Sequence, residues 1–235
     1  MAKQFIAVAA MFTVFALQVL CAQNWYDQGI EYFMNNKPLE ASVAFEKAIR
    51  DPGADERAYL YLGIAYIQLQ RYDEALLVLQ KGTTKAIAYT HLFYFNIGNI
   101  FFIQNKNEFA IEAYTSAINA KPNYAPAYLN RANARLRIKD FINAVPDYKL
   151  YLSFDPESYQ RETIQKLIEL LTAQIAQAQQ AQALLEAQKL AEAQAQAALQ
   201  AAISQSLIDA ASNTTNISTG SGDFQGYDDP LQLDD

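Results

Sequence analysis

The residue types that carry most enzyme chemistry are sparse in this 235-residue chain, which has one histidine and one cysteine. His91 therefore has no second histidine with which to form either a metal site or a nucleophile pair. Each glycine within the apolar helical patterns stands alone, whereas a phosphate-binding loop needs several close together. We predict that the protein is not an enzyme and that it holds neither a metal nor a cofactor.

Composition and charge narrow the class further. Hydrophobic residues make up 51% and charged residues 18%, which excludes collagen, a disulfide scaffold and a wholly disordered polymer. The formal net charge is −7, whereas nucleic-acid-binding proteins are normally basic. We therefore expect no nucleic-acid partner.

The first 22 residues have the pattern of a secretory signal peptide. Lys3 precedes an apolar run, and Ala22 is the small residue expected before a cleavage site. An alternative is that Cys21 becomes acylated, although the large Leu20 stands where lipoprotein processing prefers a small residue. We expect contact with a membrane only if Cys21 carries lipid.

A repeat of 34 to 35 residues organises the chain from residue 23 to residue 156. Its anchors are small residues, each preceded by an aromatic four positions earlier and followed by an alanine twelve positions later. The anchors are Gly29, Gly63, Gly98 and Ala132; the aromatics are Trp25, Tyr59, Tyr94 and Tyr128; the alanines are Ala41, Ala75, Ala110 and Ala144. This spacing predicts a pair of antiparallel helices per unit, which approach closely where the glycine meets the alanine.

These units resemble the tetratricopeptide repeat (TPR) family. All six anchor positions of that family's pattern occur in the first unit, at Trp25, Gly29, Tyr32, Ala41, Phe45 and Ala48. The resemblance implies an all-α, right-handed superhelical solenoid of four helix-turn-helix repeats over residues 23–156. Arg131, Arg135 and Tyr151 depart from the pattern, so we expect less regular packing in the fourth unit.

Three segments follow the repeats. Residues 157–171 carry an apolar stripe at helical spacing and are predicted to cap the array. Residues 172–212 are rich in alanine and glutamine and are predicted to form a long helix, which serves as a spacer, a self-associating coiled coil or a cover for the repeats. Residues 213–235 are predicted to be a disordered acidic tail.

The resemblance also implies a binding surface, because the first helices of TPR units line a concave groove. The groove positions are Tyr26, Ile30, Phe33, Leu60, Ile64, Ile67, Phe95, Asn99, Phe102, Leu129, Asn133 and Leu136. Only Arg57 and Arg137 flank them, so the cationic clamp with which some family members hold a terminal carboxylate is absent. An apolar groove suits an amphipathic helix or an extended apolar peptide.

Together these features predict an exported scaffold or adaptor that binds another protein or peptide in the bacterial periplasm or cell envelope. Two alternatives remain. A lipid-anchored assembly factor of the outer membrane would retain an acylated Cys21, and a ligand-binding subunit of a transport system would carry a small apolar molecule.

Overall fold

The computed structural model describes residues 24–51 and 53–218, and in these ranges the chain forms helices and turns but no strands. Four antiparallel helix pairs follow one another, and a ninth helix comes after them. The pairs are α1 (24–34) with α2 (Pro38–Ala48), α3 (Glu56–Gln68) with α4 (Tyr72–Thr83), α5 (Thr90–Ile103) with α6 (Asn107–Ala120), and α7 (Ala125–Arg137) with α8 (Phe141–Phe154). Helix α9 spans Arg161–Ser218. The predicted all-α solenoid is confirmed.

The first helix of every unit ends in the same turn. A residue in the left-handed conformation follows it, with φ of 54° at Asn36, 59° at Gln70, 57° at Asn105 and 61° at Lys139. In the second unit, Gln70 N–H donates to Ile67 O at 3.0 Å and Arg71 N–H donates to Tyr66 O at 2.8 Å. This closure pairs carbonyl groups that a helix end otherwise leaves open, and it stops each first helix at the same point of the repeat.

The glycine of each of the first three units lies beneath a large side chain of the second helix. A Cβ atom added at Gly29, Gly63 or Gly98 would come within 2.5 Å of Phe45, Leu79 or Tyr114, respectively. The alanines at the predicted positions are fully buried, but the closest approach at the glycine is to these larger side chains. The spacing therefore identified the tight positions, and the side chain nearest each glycine is the large residue sixteen positions after it.

The first helices lie on the inner side of the array. Helix α3 contacts α5, and α5 contacts α7, whereas α4, α6 and α8 do not contact one another. Successive first helices are therefore closer together than successive second helices. This difference makes the surface of the first helices the concave one.

Two compact units divide the chain, with the boundary between Ile175 and Ala176. In the compact unit that ends at Ile175, the side chains of Ile164 and Leu171 of α9 are buried in a cluster with Tyr151 of α8. In the compact unit that begins at Ala176, the chain is helical to residue 218, and every side chain from 176 to 212 is exposed.

The predicted signal peptide (1–22) lies outside the described residues, as does the predicted acidic tail from residue 219 onward. Helix α9 continues to Ser218, beyond the predicted end near residue 212. Neither proline nor glycine occurs between Pro156 and Gly220, so nothing breaks the helix at the predicted point. None of the helices in the described ranges has a stretch long and apolar enough to cross a bilayer.

Candidate functional site

The predicted groove positions fall into two groups by exposure. Tyr26 and Leu60 are buried, with 8% and 4% of their surface exposed. The remaining positions are half-buried on the inner helices, namely Ile30, Phe33, Ile64, Ile67, Phe95, Asn99, Phe102, Leu129, Asn133 and Leu136. Only this second group offers surface to a ligand.

Tyr26 belongs to the core because aromatic rings enclose it. Its ring centroid lies 6.1 Å from that of Phe45 and 6.4 Å from that of Tyr61. Burial raises the pKa of Tyr26 to about 12, although the nearby Arg57 opposes the change. The side chain therefore supports α1 rather than contacting a ligand.

Two asparagines of the groove are held by tyrosines of the second helices. Tyr114 Oη donates to Asn99 Oδ1 at 2.9 Å, and Tyr148 Oη donates to Asn133 Oδ1 at 2.7 Å. Asn130 Nδ2 also donates to Asn99 Oδ1, at 2.9 Å. Burial raises the pKa of Tyr148 to about 12 and lifts the pKa of Tyr114 well above its usual range, so both hydroxyls remain protonated donors into alkaline pH.

These hydrogen bonds set the orientation of the two amides. Each carbonyl oxygen accepts from a tyrosine hydroxyl, which leaves the Nδ2 group of Asn99 and of Asn133 for another acceptor. Within the described part of the chain, neither Nδ2 group donates to another residue, so each can donate to a ligand's carbonyl oxygen. Sequence reasoning missed the tyrosines as positioning residues, although both lie sixteen residues after the unit's anchor.

The two cations that flank the groove are bound by the protein itself. Arg57 donates to both carboxylate oxygens of Asp55, and these hydrogen bonds hold the pKa of Asp55 below its usual range. Arg137 lies with its guanidinium carbon 3.5 Å from the ring centroid of Phe102 and donates to that residue's carbonyl oxygen at 2.8 Å. Both cations therefore already have partners within the chain.

Aromatic residues give the groove its apolar character. The Phe95 ring lies 5.9 Å from the ring of Tyr114 and meets Tyr124 edge-on at 5.3 Å. Phe102 lies two helical turns further along α5, under Arg137. Apolar rings at both ends of a two-turn stretch, with Asn99 between them, match an extended or helical segment that carries apolar side chains.

His91 lies outside this groove chemistry. It is buried, its ring meets that of Tyr124 edge-on at 5.0 Å, and burial together with the nearby Lys121 lowers its pKa. In the part of the chain that the structure describes, no group of three or more histidine, cysteine or acidic side chains is arranged to hold a metal ion.

Comparison with known proteins gives consistent family matches. Residues 26–87 match a family described as tetratricopeptide repeat, and residues 98–138 match one described as TPR repeat. The chain is similar to DnaJ homolog subfamily C member 7 homolog from Dictyostelium discoideum, with 39% identity over 54 residues. It is also similar to RNA polymerase II-associated protein 3 from Xenopus tropicalis, with 30% identity over 125 residues.

These sequence matches cover 23% and 53% of this chain, but only 10% and 19% of the two relatives. Among solved structures, a tetratricopeptide repeat protein from Parabacteroides merdae aligns with a TM-score of 0.57 and 13% identity, over 66% of this chain and 61% of that one. MamA from Desulfovibrio magneticus aligns with a TM-score of 0.54 and 16% identity, over 68% of this chain and 96% of that one. At sequence identities this low, the structural likeness shows the fold alone.

Proposed function

Because this chain is a tetratricopeptide repeat protein, whose fold supports a scaffold for protein–protein interaction, we propose that its inner groove binds an apolar peptide or amphipathic helix. The ligand lies along α5 and α7. Its apolar side chains contact Phe95, Phe102 and Leu136, and its backbone carbonyl groups accept from Asn99 and Asn133.

The observation that carries this proposal is which hydrogen bonds the polar side chains of the groove already make within the chain. Arg57 pairs with Asp55, and Arg137 lies against the Phe102 ring and donates to the Phe102 carbonyl, so both cations already have partners within the chain. The asparagine amides, in contrast, are oriented by Tyr114 and Tyr148 as donors. A groove of apolar rings with directed amide donors recognises a peptide backbone and its apolar side chains rather than a charged chain end.

Site-specific photocrosslinking tests this proposal. A photoreactive phenylalanine analogue at position 102 is expected to crosslink a protein partner in the native cells, through a segment that mass spectrometry identifies as apolar. The same analogue at Tyr159, which is 93% exposed and outside the groove, is the control. If both positions capture the same segment, or if position 102 captures nothing, the groove is not the binding surface.

We further propose that the protein is exported and acts in the cell envelope, as the pattern of Lys3, the apolar run and Ala22 predicts. The expected mature chain begins at Gln23, and the intact mass of the protein recovered from the producing cells tests this. A mass that includes Cys21 with acyl chains would replace this proposal with the lipid-anchored alternative. A mass that includes Met1 and the residues after it would remove the proposed export.

A further inference from the structure

The N-terminal end of the first unit carries a second groove, separate from the concave face. It is a cavity of about 440 Å³ between α1 and α2. Its principal lining residues are Trp25, Gln28 and Tyr32 on α1, and Leu39, Val43 and Lys47 on α2. Leu39 and Val43 form an apolar ridge along its α2 side, with 58% and 47% of their surface exposed.

The second unit shows what such a groove accommodates. The residues 34 positions after Trp25, Gln28 and Tyr32 are Tyr59, Leu62 and Tyr66, and all three are buried. Helix α2 and the residue that follows it lie against them: Tyr66 Oη donates to Glu46 Oε1 at 2.6 Å, and Tyr59 Oη donates to Ile49 O at 3.3 Å. The corresponding groove of the first unit is therefore shaped for an α-helix, and none of the described helices fills it.

We infer that helix α2 of a second copy of this chain occupies the groove, in a two-fold symmetric dimer. Each copy offers both the groove and the ridge of Leu39 and Val43, so a single two-fold contact fills both grooves. The ridge supplies the apolar contact area. The helix that enters the groove is α2, and the other side of α2 already fills the equivalent groove of the second unit.

Charge complementarity favours a second copy over an unrelated helix. On α2, Glu40 lies three residues before Val43 and Lys47 lies four residues after it. When two α2 helices cross antiparallel at Val43, Glu40 of each copy meets Lys47 of the other. The Lys47 Nζ is held at the edge of the groove, 3.8 Å from the ring centroid of Trp25.

Sedimentation equilibrium of the full chain, in the form in which it is recovered from cells, tests this dimer. Glu40→Lys and Lys47→Glu each bring like charges together twice, and each is expected to raise the dimer dissociation constant about tenfold or more. An equal mixture of the two variants restores opposite charges at both contacts. The mixture is therefore expected to dimerise as tightly as the wild type, a result that misfolded variants cannot give.

The second unit provides a matched control. Glu74 and Lys81 have the same residue types 34 positions later, on α4, where the groove of the unit is already filled by α2. Glu74→Lys and Lys81→Glu are expected to leave the dissociation constant unchanged.

Three results would overturn the inference. The first is a wild-type chain that is monomeric over the whole concentration range, as it would be if residues preceding Asn24 covered the groove. The second is a dimer that the Glu40 and Lys47 variants do not weaken, which would place self-association elsewhere on the chain. The third is a mixture of the two variants that dimerises no better than either alone.

Discussion

Arg131 on α7 binds Asp147 on α8 through two hydrogen bonds, from Nε at 2.8 Å and from Nη2 at 2.7 Å, and the Asp147 side chain is only 2% exposed. Arg135 donates to the same carboxylate at 2.6 Å, and Arg131 Nη1 reaches Thr115 Oγ1 of the preceding unit at 2.9 Å. The fourth unit thus replaces part of its apolar packing with a buried ionic network.

Removal of the shared carboxylate is expected to destabilise the protein strongly. Asp147→Ala leaves two largely buried guanidinium groups without their anion, and breaking a buried pair in this way costs about 3–5 kcal/mol. Thermal and urea unfolding, followed by circular dichroism, measure the loss. Glu74→Ala is the control, since it removes an exposed partner of Arg71 and is expected to cost less than about 1 kcal/mol.

An apolar replacement of the whole network is expected to restore stability. The third unit has Ile97, Phe101 and Ala113 at the positions of Arg131, Arg135 and Asp147. The triple variant Arg131→Ile, Arg135→Phe, Asp147→Ala is therefore expected to unfold at a denaturant concentration at or above that of the wild type, because well-packed apolar groups often match a buried ion pair. A triple variant no more stable than Asp147→Ala alone would show that the network is needed for packing here.

The turns after the first helices offer a stabilising substitution. Gln70 adopts a left-handed conformation, which glycine accepts without a Cβ penalty, so Gln70→Gly is expected to stabilise the protein by about 0.5–1 kcal/mol. Asparagine tolerates this conformation better than glutamine does, so a smaller gain is expected for Asn105→Gly. Urea unfolding of the two variants gives the comparison, and an equal or reversed order would contradict this account of the turn.

The repeat could be predicted from the sequence because small and aromatic residues recur at fixed positions, and the departures at Arg131 and Arg135 marked the fourth unit as different. Asp147 was not singled out, although the third unit has alanine at the same position. Contacts between helices were harder to foresee. The hydrogen bond from Tyr114 to Asn99 and the burial of Tyr26 depend on how neighbouring helices cross, which periodicity along one helix does not specify.

Overpacking of the third unit tests the register of its helices. Ala110 is fully buried, in a cluster with Tyr114 and Ala134. Ala110→Leu adds three carbon atoms where no space exists, and it is expected to cost roughly 1–3 kcal/mol. Leucine at the exposed Ala120, on the same helix, is the control and is expected to have little effect. A thermal midpoint unchanged by Ala110→Leu would show that the register of α6 is wrong.

Binding through the concave groove is expected to depend on Phe95 and Phe102. Loss of one aromatic anchor at an interface typically costs about 2 kcal/mol or more, so Phe95→Ala with Phe102→Ala is expected to abolish capture of the partner identified by crosslinking. Helical content should persist, because both residues are only half-buried.

Phe109→Ala is a matched control, since Phe109 is 56% exposed on α6 and outside the groove. Because few charged side chains line the groove, binding should also survive raised salt. Capture that persists in the double variant but disappears on deletion of residues 172–212 would assign binding to the alanine- and glutamine-rich helix, and the groove aromatics would then serve only to pack the core.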